Sequence, residues 1–156
     1  MTWSGHWHGF GPWTGTRTAY GQEGARRPGQ LTHDEQTRTF LAGTLPPMQV
    51  GHWLMRRDQA AAHRTWTDLG DAMDWLRKTY EASPPFERVD GGRAYIDLDV
   101  KSTYAADALG RGVDAVWVHY AKTTNLVSFS VVCCPHRFLR ELPCPLPPLS
   151  TDDRHG

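Results

Sequence analysis

Three things are missing from this chain of 156 residues: a long apolar run, an excess of charge of either sign, and enough cysteine for a disulfide framework. No apolar stretch approaches the roughly 18 residues that suggest a membrane span. No basic segment leads into an apolar one as in a secretory signal. Basic and acidic side chains balance at 17 each. That removes any global attraction to nucleic acid or anionic lipid and leaves only local patches for such work. The cysteines are Cys133, Cys134 and Cys144, an odd set whose first two are neighbours. In a strand those neighbours point to opposite faces, so a bond between them would strain the backbone. Reduced thiols and a cytoplasmic setting are expected. Glycine-rich phosphate loops, nucleophile elbows, HExxH and zinc-finger spacings are also missing. The residues alone name no activity.

What is present reads as globular. Hydrophobic residues make up 39% and charged residues 22%, close to folded-domain usage, and the length suits one domain with a core of its own. Residues 1–30, rich in glycine, threonine and aromatics, show neither a two-residue nor a 3.6-residue period and read as an irregular arm. Residues 31–141 carry the regular elements, and 142–156 form a proline-rich tail suited to polyproline II. Thr32 with Glu35 makes a capping box for a helix ending near Gly43. Met48–Arg56 reads as a strand. Leu69, Ala72, Met73, Leu76 and Tyr80 fall on one helical stripe, closed by Ser83-Pro84-Pro85. Ala94–Lys101 alternates as a strand. Val113–Ala121 and Leu126–Cys134 form a hairpin; a two-residue loop would put Val116, Val118 and Tyr120 with Val127, Phe129, Val131 and Cys133 on the core face. The expected fold is α+β: an antiparallel sheet of about four strands with two helices on one face, an irregular aromatic N-terminal arm and a proline-rich C-terminal tail.

Three groups of residues could carry chemistry. On the second sheet face, Tyr95, Asp97, Asp99, Trp117, His119, Ser128 and Ser130 would lie together. Asp97 and Asp99, roughly 7 Å apart on a strand, would hold a hard cation between them or serve as base and orienting group, with His119 as proton carrier. The plainer alternative is a solvated face of an antiparallel sheet. Near the C-terminus, Cys134, His136 and Cys144 offer three zinc ligands, with His6 or His8 completing the set. Against them stands the absence of a C-x2-C knuckle, and buried free cysteines also serve as small hydrophobes. Finally, Trp3, His6, Trp7, His8, Phe10 and Trp13 cannot stay loose in water. They lid their own domain or take a partner protein or an aromatic ligand.

The expectation is therefore a small intracellular binding or accessory protein that recognises a protein partner or small aromatic ligand through the arm and the mixed sheet face. No cofactor, membrane or nucleic acid figures in that reading. The alternatives are a hydrolase- or lyase-like enzyme using Asp97, Asp99 and His119, or a zinc-stabilised module.

Overall fold

In the computed structural model, which describes residues 3–86 and 96–149, the glycine- and aromatic-rich opening is a strand, β1 (His6–Gly15). It joins β2 (Thr65–Trp66), β3 (Ala115–Tyr120) and β4 (Leu126–Cys134) in one antiparallel sheet of order β2-β1-β4-β3. The expected α+β class and four-stranded antiparallel sheet are present. The arm, however, is not separate from the domain. It is an inner strand, and no sequence alternation marks it because both of its faces are covered at the His6 end. Trp7 packs toward the helices while Phe10 packs on the opposite side. Its glycines are explained by contact and conformation. A Cβ on Gly9 would stand 2.7 Å from the Trp66 ring and 3.2 Å from that of Trp75. Gly11 has φ +96°, a region costly to any residue with a side chain. It sits in a bulge: Phe10 opposes Ser130 and Trp13 opposes Ser128, three steps of β1 against two of β4.

Four α-helices accompany the sheet among the described residues: α1 (Arg17–Tyr20), α2 (Glu35–Ala42), α3 (Leu69–Ala82) and α4 (Leu98–Gly110). The cap of α2 is Asp34, whose carboxylate accepts from Thr37 N at 2.7 Å, so the helix starts later than the Thr32 capping box predicts. The apolar stripe of α3 is as spaced, with Ala72, Leu76 and Tyr80 buried. The strand expected at 94–101 is not formed over its described part. Asp97 caps α4 by accepting from Asp99 N at 3.2 Å. Ser102, Ala105 and Leu109 then bury at helical spacing, which outweighs the two-residue alternation before them. Residues 94 and 95 lie outside the described residues. Met48–Arg56 is not a strand either. Trp53 and Leu54 are both buried; a strand would send neighbours to opposite faces, whereas the 3-10 helix Val50–Met55 turns both onto the sheet.

The hairpin forms with the opposite parity. Trp117 pairs with Phe129 and His119 with Val127, and Ala121 N donates to Asn125 O at 2.9 Å, leaving a three-residue loop. Its last residue, Thr124, takes φ 68°, the left-handed position of a three-residue turn. One extra loop residue exchanges the faces. Ala115, Trp117 and His119 therefore lie with Val127, Phe129 and Val131 on the side facing α3 and α4. Ser128 and Ser130, expected on a solvated face, are 1% exposed, and all nine residues of β4 are buried. The 3-10 helix Val50–Met55, with Phe10 stacked on Trp53 at 5.1 Å, and the start of the tail cover that second face.

Candidate metal centre

Strand geometry puts the ligands together. His6 and His8 sit two residues apart on β1, so their side chains share a face, and His6 pairs directly with Cys134 across β4. Cys133, one step back, points into the helix-side core instead, so the two adjacent cysteines divide between the sheet's faces. The tail then crosses that second face and delivers Cys144. His6 Nε2 lies 3.1 Å from His8 Nε2, and Cys144 Sγ lies 3.3 Å from the first and 3.6 Å from the second. The ligand atoms of His6, His8, Cys134 and Cys144 all fall within 4.8 Å of one another.

The three separations among His6, His8 and Cys144 come close to those around zinc. With Zn–N of about 2.0–2.1 Å and Zn–S of about 2.3 Å, a tetrahedron has ligand–ligand edges of about 3.3–3.8 Å. The supporting contacts set the ligand forms as well. The Thr65 hydroxyl donates to Ala61 O at 2.8 Å, so it accepts from His8 Nδ1–H at 2.9 Å. That fixes the tautomer and leaves His8 Nε2 with a free lone pair facing the centre. Burial, then the nearby His6 charge, pushes the His8 pKa down to about 4, and burial lowers that of His6. Both imidazoles are thereby held in the neutral, ligating form at neutral pH. Burial, followed by the neighbouring Cys144 sulfur, pushes the Cys134 thiol up to about 12. A coordinated cation reverses the effect by favouring thiolate.

His136, expected among the ligands, is not one of them. Its Nδ1 accepts from Phe138 N and Leu139 N, both at 3.2 Å, and Nε2 donates to Asp114 Oδ2 at 2.6 Å. With both ring nitrogens engaged, it ties the chain after β4 to the residue preceding β3. Asp114 Oδ1 also accepts from Cys133 N at 2.7 Å, completing that tie. The set expected from sequence thus keeps Cys134, Cys144 and one histidine of the arm and exchanges His136 for the arm's other histidine. The signal available was the H-x-H pattern, which places two imidazoles on one face once the segment is known to be a strand. Thr65, which orients His8, had no signal.

The other expected residues separate. Asp97 caps α4, while Asp99 stands in its first turn, 3.1 Å from Arg77 Nη2. His119 is on β3, where its Nε2 donates to Ser83 O at 2.6 Å. They do not share a sheet face, because 97 and 99 are not in a strand. Tyr95 lies outside the described residues. Trp117 is buried beneath Tyr80, their ring centroids 5.8 Å apart. Of the opening aromatics, Trp7 and Phe10 are interior. Trp3 and Trp13 are half-buried, Trp3 against Trp7 and Trp13 against Tyr20. Among the described residues no helix is long and apolar enough to cross a membrane. Compared with protein-family models, curated protein sequences and solved structures, the chain matches none.

Proposed function

We propose that this chain is a zinc-binding protein whose centre is structural. One Zn²⁺ held by His6, His8, Cys134 and Cys144 fastens the tail to the sheet. The observation that supports this is the convergence of two imidazoles and two sulfurs, their ligand atoms all within 4.8 Å of one another, from three separate parts of the chain. Four protein ligands close the coordination shell and leave no position for substrate or activated water, unlike a catalytic zinc with three. Thiolate and imidazole together favour zinc over calcium, magnesium or manganese, which want oxygen.

The neighbouring cysteines supply the test. Protein purified without added metal and analysed by mass spectrometry carries one zinc per chain. Cys134→Ser loses it, while Cys133→Ser, altering the opposite face, retains it. A metal-free preparation that also fails to take up zinc, or equal zinc in the two variants, would overturn the proposal. A binding role attached to the aromatic arm loses two of its residues, since Trp7 and Phe10 are occupied inside the molecule.

A further inference from the structure

The four ligands of the zinc clasp include a pair of sulfurs that can react with each other. The Sγ atoms of Cys134 and Cys144 lie within 4.8 Å of one another. Both are free cysteines, Cys134 buried and Cys144 only half-buried. As zinc ligands both are thiolates, and oxidation of cysteine follows thiolate character and exposure. Cys144 is the more exposed of the two, so it is the first to meet a small oxidant. The third cysteine is kept out by geometry. Cys133 is 0% exposed in the helix-side core, and strand neighbours such as Cys133 and Cys134 face opposite ways.

The chain carrying Cys144 is free to adjust. Among the described residues, no backbone–backbone hydrogen bond holds residues 143–149. Leu142 and Cys144 instead pack by their side chains on the second sheet face, beside Cys134. A small shift of Cys144 toward Cys134 therefore breaks no ladder of backbone bonds.

We infer that hydrogen peroxide turns this clasp into a disulfide between Cys134 and Cys144, releasing the metal while the tail stays fastened to β4. The inference rests on the metal reading above. The Cys144 thiolate attacks one peroxide oxygen; the O–O bond breaks, hydroxide departs, and Cys144 becomes a sulfenic acid. The Cys134 thiolate then attacks the Cys144 sulfur, forming the S–S bond and expelling a second hydroxide. Two thiolates have lost two electrons, one peroxide has gained them, and the two hydroxides take up protons to become water. His6 and His8 alone leave the zinc two ligands short of a closed shell, and it departs.

The test uses the full chain, loaded with zinc and assayed for one ion per chain before hydrogen peroxide is added. A chromogenic chelator follows the metal, and peptide mass mapping locates the bond. One zinc should leave for each disulfide formed, with the intact mass two hydrogens below that of the reduced, metal-free chain. The cross-linked peptide should join Cys134 to Cys144, and Cys133 should still take an alkylating reagent after denaturation. Dithiothreitol with added zinc should reverse the change. The disulfide closes only the loop from 134 to 144, whereas ligation also reaches β1. The oxidised chain should therefore melt about 5–10 °C above the reduced, metal-free chain and below the zinc-loaded one. Zinc retained under peroxide, zinc released with sulfinic acid and no disulfide, or a bond that includes Cys133 or joins two chains would each overturn the inference. So would melting no higher than that of the reduced, metal-free chain. A chain that takes up no zinc overturns both readings, while one that holds zinc and fails to form the bond overturns this one alone.

Discussion

Removing the metal is the perturbation whose size the structure fixes best. Ligation joins His6 to Cys144 across a sequence separation of 138 residues. On the chain-entropy account of a cross-link, restraining a loop that long in the unfolded state contributes about 5 kcal/mol, provided the ligands stay bound on unfolding. If the metal leaves on unfolding, binding linkage supplies the stabilisation instead, and free zinc at 1,000 times its dissociation constant gives about 4 kcal/mol. The two routes agree. For a chain of this length, each kcal/mol moves the melting temperature by about 2–4 °C, so complete chelation should lower it by about 10–20 °C. The helix-side core contains no ligand, so the stripped protein should remain folded, with its far-ultraviolet circular dichroism nearly intact. Calorimetry before and after treatment with a strong chelator measures the shift, metal analysis verifies the removal, and Cys134→Ser shows no further response to the chelator. A melting temperature that stays put after verified removal would refute the claim that the centre holds the tail to the sheet. Complete unfolding on removal would refute the independence of the helix-side core.

Three further outcomes are expected. In the metal-free protein, stability should fall with acid: the His8 pKa is depressed to about 4 from an ordinary 6.5, so the unfolded chain takes up the proton first. That contribution is fully present above 6.5 and lost as pH drops toward 4, which denaturant titrations across this range will read out. Arg56→Lys should cost about 2–4 kcal/mol in urea unfolding, since a single ammonium cannot replace both the 2.9 Å bond to Phe40 O and the 2.6 Å bond to Leu45 O in a site 1% exposed. Thr124→Gly should raise the urea midpoint, gaining about 0.5–1 kcal/mol by relieving the positive φ of the hairpin loop.

The sequence was most legible where one face of an element meets solvent. The stripe of α3 has a clear period because polar residues interrupt apolar ones, and the helix forms where that period puts it; the hairpin strands form at the expected residues but with their faces exchanged, all of β4 being buried. Legibility fails in β1, covered on both faces at its His6 end. In β1 the side chains toward the helices include Trp7 and Gly9, while His6, His8 and Phe10 face the other way; no contrast of polarity remains to betray a two-residue period. The hairpin parity failed on a single loop residue, because nothing about Thr124 announces a left-handed backbone. The metal ligands were half legible. Cys134 and Cys144 stood out as thiols and one arm histidine joined them, but choosing the second arm histidine over His136 required knowing that residue 6 lies opposite residue 134. That pairing is long-range, and local pattern does not carry it.

One compositional feature finds its explanation in the same layer as the metal. Arginine far outnumbers lysine, and three arginines serve the irregular part of the chain. Arg26 donates to Pro46 O and Tyr20 O, Arg56 to Phe40 O and Leu45 O, and Arg64 to Gly11 O and Gln59 O. Each uses the guanidinium fork to satisfy two carbonyls at once, which an ammonium on a flexible stem does less well. The need arises from how the sheet is covered. On one side α3 and α4 satisfy their own backbone groups and contribute apolar stripes. On the other, 3-10 turns and extended segments leave carbonyls without partners and offer less apolar area. A covering layer built this way takes its cohesion from directional bonds: arginine forks at 20–64 and, where the tail closes over β1 and β4, the cluster of two histidines and two cysteines.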